Sequence, residues 1–429
     1  MRTNDRPTPW GDANSLRSRK LKPGAAQSRA QTERNQRERL FAALVATVAE
    51  RGYEATTVAD LVELSGVSRS AFYNHFEDKQ GCFLAAVDAL TGPALERLTR
   101  EAGAMSEAQG REAFGSLLAL IAAQPAAAKT CLVEIYAAGP EAAAMLERIV
   151  NGVAEAATRM LDGIPERRGL PPEIVRAIVG GVQKAIYKRL LRGEEAELPA
   201  LASELWEWVL CIPPPPGPLR PGRRRAVRPR PFEQRQAAVL PTERVLRAMA
   251  AEVSERGYAE VTVAEIVDRA HTSQRTFYES FADKEAAMVA ALDSGSAQML
   301  AAALPAFRRA ADWPSSVRLT QEAMFRFAAE EPEYGRLGAV EMYAAGKRAL
   351  EQRERVTESM EELLATGFAV APQAPPLAPE GIGGALYALL YDFVKANGPE
   401  RLLELVPTAV YVTLAPFLGA EKAYAAAVS

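Results

Sequence analysis

At 429 residues, 48% of them hydrophobic, the chain is too long for one ordinary domain and can bury several cores. Three scattered cysteines, Cys82, Cys131 and Cys211, fit neither a disulfide framework nor a zinc site, so a reducing, cytoplasmic compartment is expected. The net charge of −3 conceals two basic stretches, seven Arg or Lys against two Asp in residues 1–30 and seven Arg against one Glu in 212–236, on an acidic remainder that leaves room for a polyanionic partner.

Ala, Leu, Glu and Arg are abundant, and apolar residues recur three and four apart, so an all-α protein is expected. No apolar run comes near the roughly 20 residues of a spanning helix and no signal-peptide core opens the chain, so neither a membrane partner nor export is expected.

In chain order, residues 1–32 read as a disordered basic arm. Residues 33–90 begin inside the amphipathic stretch TERNQRERLFAALVATVAERGY, which starts at Thr32, and continue into two short helices. Thr57 followed by Asp60 is a capping box, and Val58, Leu61 and Val62 share one face of the helix it starts. Gly66 suits a left-handed turn, Ser68 can cap the next helix, and Phe72 and Phe76 lie four apart on its inner side. Two short helices joined by a tight turn form a helix-turn-helix, whose second helix offers its first residues to the major groove.

Residues 91–212 read as a helical regulatory domain closing in a helix pair. Residues 213–240, beginning PPPPGPLRPGRRRAVRPRPF, read as a linker: proline cannot continue a helix, arginines repel one another, and at roughly 3.1 Å per residue the segment could span about 80 Å.

The chain then repeats itself. ERGYEATTVADLVELSGVSRSAFYNHFEDK at 50–79 recurs without a gap as ERGYAEVTVAEIVDRAHTSQRTFYESFADK at 255–284, and VEIYAAG at 133–139 recurs as VEMYAAG at 340–346. A second helix-turn-helix domain is thus expected at 241–295, with a capping box at Thr262 and Glu265, and a second regulatory domain at 296–429. The second copy departs in two places: His271 replaces the turn glycine, and Glu279 stands where the first copy has Asn74. Paired glycines, Gly180–Gly181 and Gly383–Gly384, either permit close helix approach or loosen a helix start.

TTVADLVELSGVSRSAFYNHFEDK resembles the headpiece signature of the TetR family of transcription factors almost position for position, and does so twice. The resemblance implies two tandem TetR-like units, all-α, paired within the chain as a pseudo-dimer through their closing helices. It implies a ligand-responsive repressor whose partners are a double-stranded DNA operator and a small apolar effector, and Arg69-Ser70 in one copy against Gln274-Arg275 in the other predicts non-identical half-sites. A homodimer of the fused chain is the further association it allows. Carried over by position, DNA contacts fall to Thr57, Ser68, Arg69, Ser70, Tyr73, Asn74, His75 and Lys79 in the first copy. In the second they fall to Thr262, Ser273, Gln274, Arg275, Tyr278 and Lys284, with Glu279 and Ser280 completing the aligned positions. Arg suits guanine edges, Gln and Asn suit adenine, and Ser, Tyr and Lys donate to phosphate.

Tyr136 and Tyr343, in the repeated VE-Ile/Met-YAAG segment, are weak candidates to line an effector cavity, against the alternative of a duplicated packing segment. No cofactor or metal is expected, and no enzyme, since both histidines sit inside the helix-turn-helix segments and no phosphate-loop, dinucleotide or metal spacing occurs. The competing reading is a TetR-like protein in which one or both headpieces have lost DNA binding and which acts as a ligand- or protein-binding module.

Overall fold

Capped, amphipathic segments build helices, and the described residues contain no strand. A computed structural model describes residues 7–21, 28–220, 240–344 and 347–429, with positions 227, 229 and 232 between. By its contacts the chain divides into two compact units, Met1–Met160 with Ile186–Ser203, and Leu161–Ala185 with Glu204–Ser429.

In the first unit, α1 (Arg29–Arg51), α2 (Val58–Ser65) and α3 (Arg69–His75) make the headpiece around Leu40, Leu44, Leu61 and Phe72, all fully buried. The next helix, α4 (Lys79–Glu101), runs unbroken through the expected domain boundary at 90/91, followed by α5 (Glu107–Ala123), α6 (Pro125–Leu132) and α7 (Pro140–Asp162). The repeated VEIYAAG segment joins headpiece to body: Tyr53 N donates to Glu134 Oε2 at 2.8 Å, and Gln80 Nε2 donates to Ala138 O at 2.8 Å.

The expected disordered arm is corrected here. Its described part holds a 3₁₀ helix, Ala13–Arg19, capped by Asp12, with Ala13 and Leu16 buried against Ala42, Ala43 and Ala46 of α1. Trp10 lies on Phe41 with ring centroids 5.2 Å apart, and α1 itself begins at Arg29, inside the stretch read as arm. Three apolar side chains spaced three apart, Trp10, Ala13 and Leu16, match the 3₁₀ repeat and give the segment a face to bury.

The second unit contains the second headpiece, α10 (Pro241–Arg256), α11 (Val263–Arg269) and α12 (Gln274–Ser280), then α13 (Lys284–Arg309), which crosses the expected boundary at 295/296. There follow α14 (Trp313–Glu330), α15 (Pro332–Ala339), α16 (Lys347–Ala365), α17 (Ala378–Asn397) and α18 (Val406–Val428). It also takes in the closing helices of the first copy, α8 (Pro172–Arg192) as far as Ala185 and α9 (Ala202–Cys211) from Glu204. The closing helix pairs of both copies therefore share one compact unit, although they come from different repeats.

Glycines make that packing close. A Cβ on Gly180 would meet Ala388 Cβ at 2.5 Å, one on Gly181 would meet Gly381 O at 2.6 Å, and one on Gly384 would meet Gly180 O at 2.6 Å. Close approach, the first of the two readings of these glycine pairs, is the one realised. Trp208, fully buried beside Gly181 and Gly381, donates its Nε1–H to Ile178 O at 3.2 Å. The Lys184 side chain is 1% exposed and reaches both Glu354 (3.2 Å) and Glu361 (3.1 Å) on α16. At the start of the linker, Tyr411 Oη donates to Pro213 O at 2.8 Å; residues 221–226 and 233–239 lie outside the described residues.

The expectation that no helix could span a membrane also needs correction. Lys284–Arg309 and Pro399–Val428 are long and apolar enough by composition. The second is apolar because 67% of its apolar window is buried inside the fold, the ordinary state of a helix hydrophobic on all sides.

Candidate nucleic-acid interface

Both helices of each helix-turn-helix start where local chemistry dictates. Thr57 Oγ accepts from Asp60 N at 3.3 Å while Asp60 Oδ2 accepts from Thr57 N at 2.8 Å, and Thr262 with Glu265 repeats the box at 3.4 and 2.8 Å. Both hydroxyls also donate to those carboxylates, at 2.6 and 2.7 Å, so Thr57 and Thr262 are committed as caps. The hydrogen bonds from Thr57 hold the Asp60 carboxyl below its ordinary value. An ion pair from Arg256, then Thr262, takes Glu265 down to about 2. Ser68 and Ser273 cap α3 and α12, accepting from Ala71 N at 3.2 Å and Thr276 N at 3.1 Å.

Between the paired helices the backbone turns left-handed, at Gly66 with φ 65° and at His271 with φ 49°, the only non-glycine residue with positive φ among those described. Glycine adopts this conformation freely, whereas a Cβ resists it.

The carried-over positions divide into two groups. Ser68, Arg69, Ser70, Tyr73 and Asn74 are exposed on one headpiece, as are Ser273, Gln274, Arg275, Tyr278, Glu279 and Ser280 on the other. Tyr73 and Tyr278, 47% and 56% exposed, each rest edge-on against the buried phenylalanine before them and leave their hydroxyls outward. His75, Lys79 and Lys284 turn partly inward instead. His75 Nε2 pairs with Gln36 Oε1 at 2.8 Å, and burial followed by the Arg37 charge lowers its pKa. Lys79 Nζ donates to Tyr53 O at 2.7 Å and sits over the Tyr53 ring at 4.1 Å. Lys284 Nζ donates to Tyr258 O and Val261 O, both at 2.9 Å, with the Tyr258 ring at 4.2 Å. Burial lowers the pKa of both lysines. They tie the start of α4 and α13 to the loop before α2 and α11, a role that depends on carbonyls 23 to 26 residues away.

These headpieces match the model of the bacterial regulatory proteins of the tetR family at residues 40–86 and again at 245–291. The chain thus carries two headpieces of the tetR-family type, and the match is to these two segments. It is 29% identical over 62 residues to the uncharacterized HTH-type transcriptional regulator YerO of Bacillus subtilis (strain 168), a stretch covering 14% of this chain and 22% of that protein. The chain thus spans about a fifth of the length of that curated relative. Among solved structures it is similar to the transcriptional regulator FadR from Bacillus subtilis in complex with stearoyl-CoA (18% identity, TM-score 0.37, 40% of this chain and 96% of that one). It is also similar to a TetR family transcription regulator from Marinobacter aquaeolei VT8 (21% identity, TM-score 0.31, 41% and 97%).

The two TetR-family recognition helices are chemically unlike. On α3, Arg69 leans over the Tyr73 ring at 5.8 Å, and no carboxylate lies on the helix itself. On α12, Arg275 Nε is paired to Glu279 Oε1 at 2.9 Å, one turn along. Arg269, at the end of α11, is held by Glu255 (2.6 Å) and Glu252 (3.1 Å).

Within the second unit an apolar cavity of about 110 Å³ is lined by Met299, Met324, Phe325, Tyr334, Met360 and Leu390, among others. Tyr334 is also within reach of the headpiece: its Oη donates to Glu243 on α10 at 3.4 Å, and Arg247 lies over its ring at 5.7 Å. Arg247 in turn pairs with Glu331 at 2.8 Å, and Ser294 and Gln298 of α13 donate to Glu243 at 3.3 Å. Burial, with Glu243 alongside, holds the Tyr334 phenol well above its ordinary pKa. Tyr334 carried no repeat or motif to signal it. Tyr136 lies instead edge-on to Tyr187, centroids 6.2 Å apart, in the first unit, and the side chain of Tyr343 lies outside the described residues.

Proposed function

We propose that this chain is a cytoplasmic, sequence-specific transcriptional regulator, a ligand-responsive repressor that reads an operator of non-identical half-sites with two unlike headpieces. The observation that carries it is the pair of capped, exposed recognition helices bearing Arg69, Ser70 and Asn74 on one and Gln274, Arg275 and Glu279 on the other. Bidentate side chains of different type select different base edges. Tyr73 and Tyr278 donate to flanking phosphates, and Lys79 and Lys284 add charge behind them. The chemistry at work is recognition, not catalysis.

An apolar effector in the cavity of the second unit would change the packing around Tyr334 and so bias the headpiece through Glu243 and Arg247, a population shift between DNA-competent and released states. In-vitro selection of duplex sites tests the operator: an asymmetric consensus is expected, and a perfect palindrome overturns it. Sedimentation of the purified chain with and without that duplex reads whether a homodimer brings four headpieces together.

A second reading concerns the second headpiece alone. The Arg275–Glu279 pair spends the helix's one exposed cation internally, which favours a headpiece that binds DNA weakly and serves as a protein or ligand module. Removing Tyr278 with no change in operator affinity would favour this reading.

A further inference from the structure

The first headpiece carries a basic cleft that its helix-turn-helix does not explain. It is open, about 370 Å³, and lined by Arg17 and Lys20 from the arm, Gln36 and Arg39 from α1, and Gly66 and Ser68 from the turn. The arm is seated firmly enough to hold its cations there. Leu16 is fully buried on α1, Asn35 Nδ2 donates to Arg19 O at 3.2 Å, and Arg17 donates Nε and Nη2 to Glu63 O at 2.8 and 2.6 Å. That carbonyl belongs to the last turn of α2, where no helical N–H reaches it.

Arg39 is 3% exposed, and its Nη1 donates to Ser65 O at 3.0 Å, yet its buried Nε has no partner among the described residues. Burial and the nearby Arg19 charge both act against its protonated form. Three cations therefore meet one carboxylate, Glu63, around the cleft, an arrangement that an anion would stabilise. The cleft opens at Ser68, the residue immediately before the base-reading positions Arg69 and Ser70.

We propose that the docked arm is a backbone-phosphate clamp of the first headpiece: Arg17 and Lys20 grip a DNA phosphate flanking the half-site read by α3, and the buried Arg39 adds positive charge beneath them. This rests on the DNA-binding reading above. The clamp adds affinity and fixes register without reading sequence.

The test uses the full chain and a labelled duplex carrying its selected site, titrated across a salt series. Lys20 is exposed, so Lys20→Ala and Lys20→Glu leave the packing intact. Losing one phosphate contact lowers the slope of log affinity against log salt by about 0.9 and weakens all duplexes alike. Leu16→Asp, which unseats the arm, should show the same loss, with the fold followed by circular dichroism. Wild-type slope in both Lys20 variants overturns the clamp. A wild-type chain that shows no salt-dependent duplex binding overturns instead the reading on which the clamp rests.

Discussion

The two headpieces share a backbone plan and differ in how each is held. The first has Ala42 where the second has Arg247, and the same helix is covered by the arm through Leu16, Ala42 and Ala43. The second is tied to its body through Arg247, Glu331, Glu243 and Tyr334, and its core runs continuously from Met249 and Phe277 to Leu337 and Met342. One copy thus keeps its recognition helix free of carboxylates and gains a basic arm, while the other is coupled to the wall of an apolar cavity and pairs its own arginine with Glu279. On the function proposed above, the first copy would supply more of the grip and the second more of the response.

The sharpest break of that contrast is at the closing helices, where the copies meet inside the second unit. Lys184 carries two carboxylate partners, Glu354 buried and Glu361 half-buried, whereas the aligned position in the second copy is Tyr387, whose ring stacks with Arg353 at 5.1 Å. Lys184→Ala leaves Glu354 and Glu361 without it and is expected to cost about 3–5 kcal/mol in urea unfolding. Lys184→Met combined with Glu354→Leu and Glu361→Leu should recover most of that. A single variant as stable as the parent would mean that the ions do not fix the pairing.

At the recognition helices, Arg69→Ala is expected to lose about 1–3 kcal/mol of operator affinity, roughly a fivefold to 150-fold loss, by fluorescence anisotropy. Gln274→Ala should lose less if the second headpiece grips weakly. Equal losses erase the contrast. Conversely, Glu279→Asn releases Arg275 and should strengthen binding to the second half-site. His271→Gly relieves a left-handed Cβ and should stabilise the second headpiece by up to about 1 kcal/mol, visible as a raised melting temperature.

Much of this was legible in the sequence where the determinant is local. Thr57 with Asp60, and Thr262 with Glu265, mark helix starts because the bonds span three residues, and the glycine at 66 marks the turn because its φ requires it. Longer-range outcomes were not legible. The arm looked like a charged tail because its cations outnumber the three apolar side chains that dock it, and those follow a 3₁₀ rather than an α repeat. Nothing local shows that the Tyr53 carbonyl will take the Lys79 ammonium, a bond that spans 26 residues. The length of apolar helix in α18 follows from packing on all sides, which only the assembled bundle reveals.

The smallest expected effect separates the headpieces by pH. His75 has its counterpart in Ser280, so only the first headpiece carries a histidine at this position. Burial lowers its pKa, the Arg37 charge adds to this, and Glu33 opposes it in part. The unfolded chain, with an ordinary value near 6.5, therefore takes up the proton at higher pH than the folded one. Its contribution to stability is complete above the unfolded value. It shrinks as pH falls from about 6.5 toward the lower folded value, because there the unfolded state binds more protons. Melting followed between pH 7.5 and 5.5 should show a small downward drift in the parent that His75→Gln removes, since glutamine can keep a bond to Gln36 without titrating. An identical drift in the variant would assign the pH response elsewhere, and a parent with no drift would mean that the imidazole stays accessible to solvent as readily as in the unfolded chain.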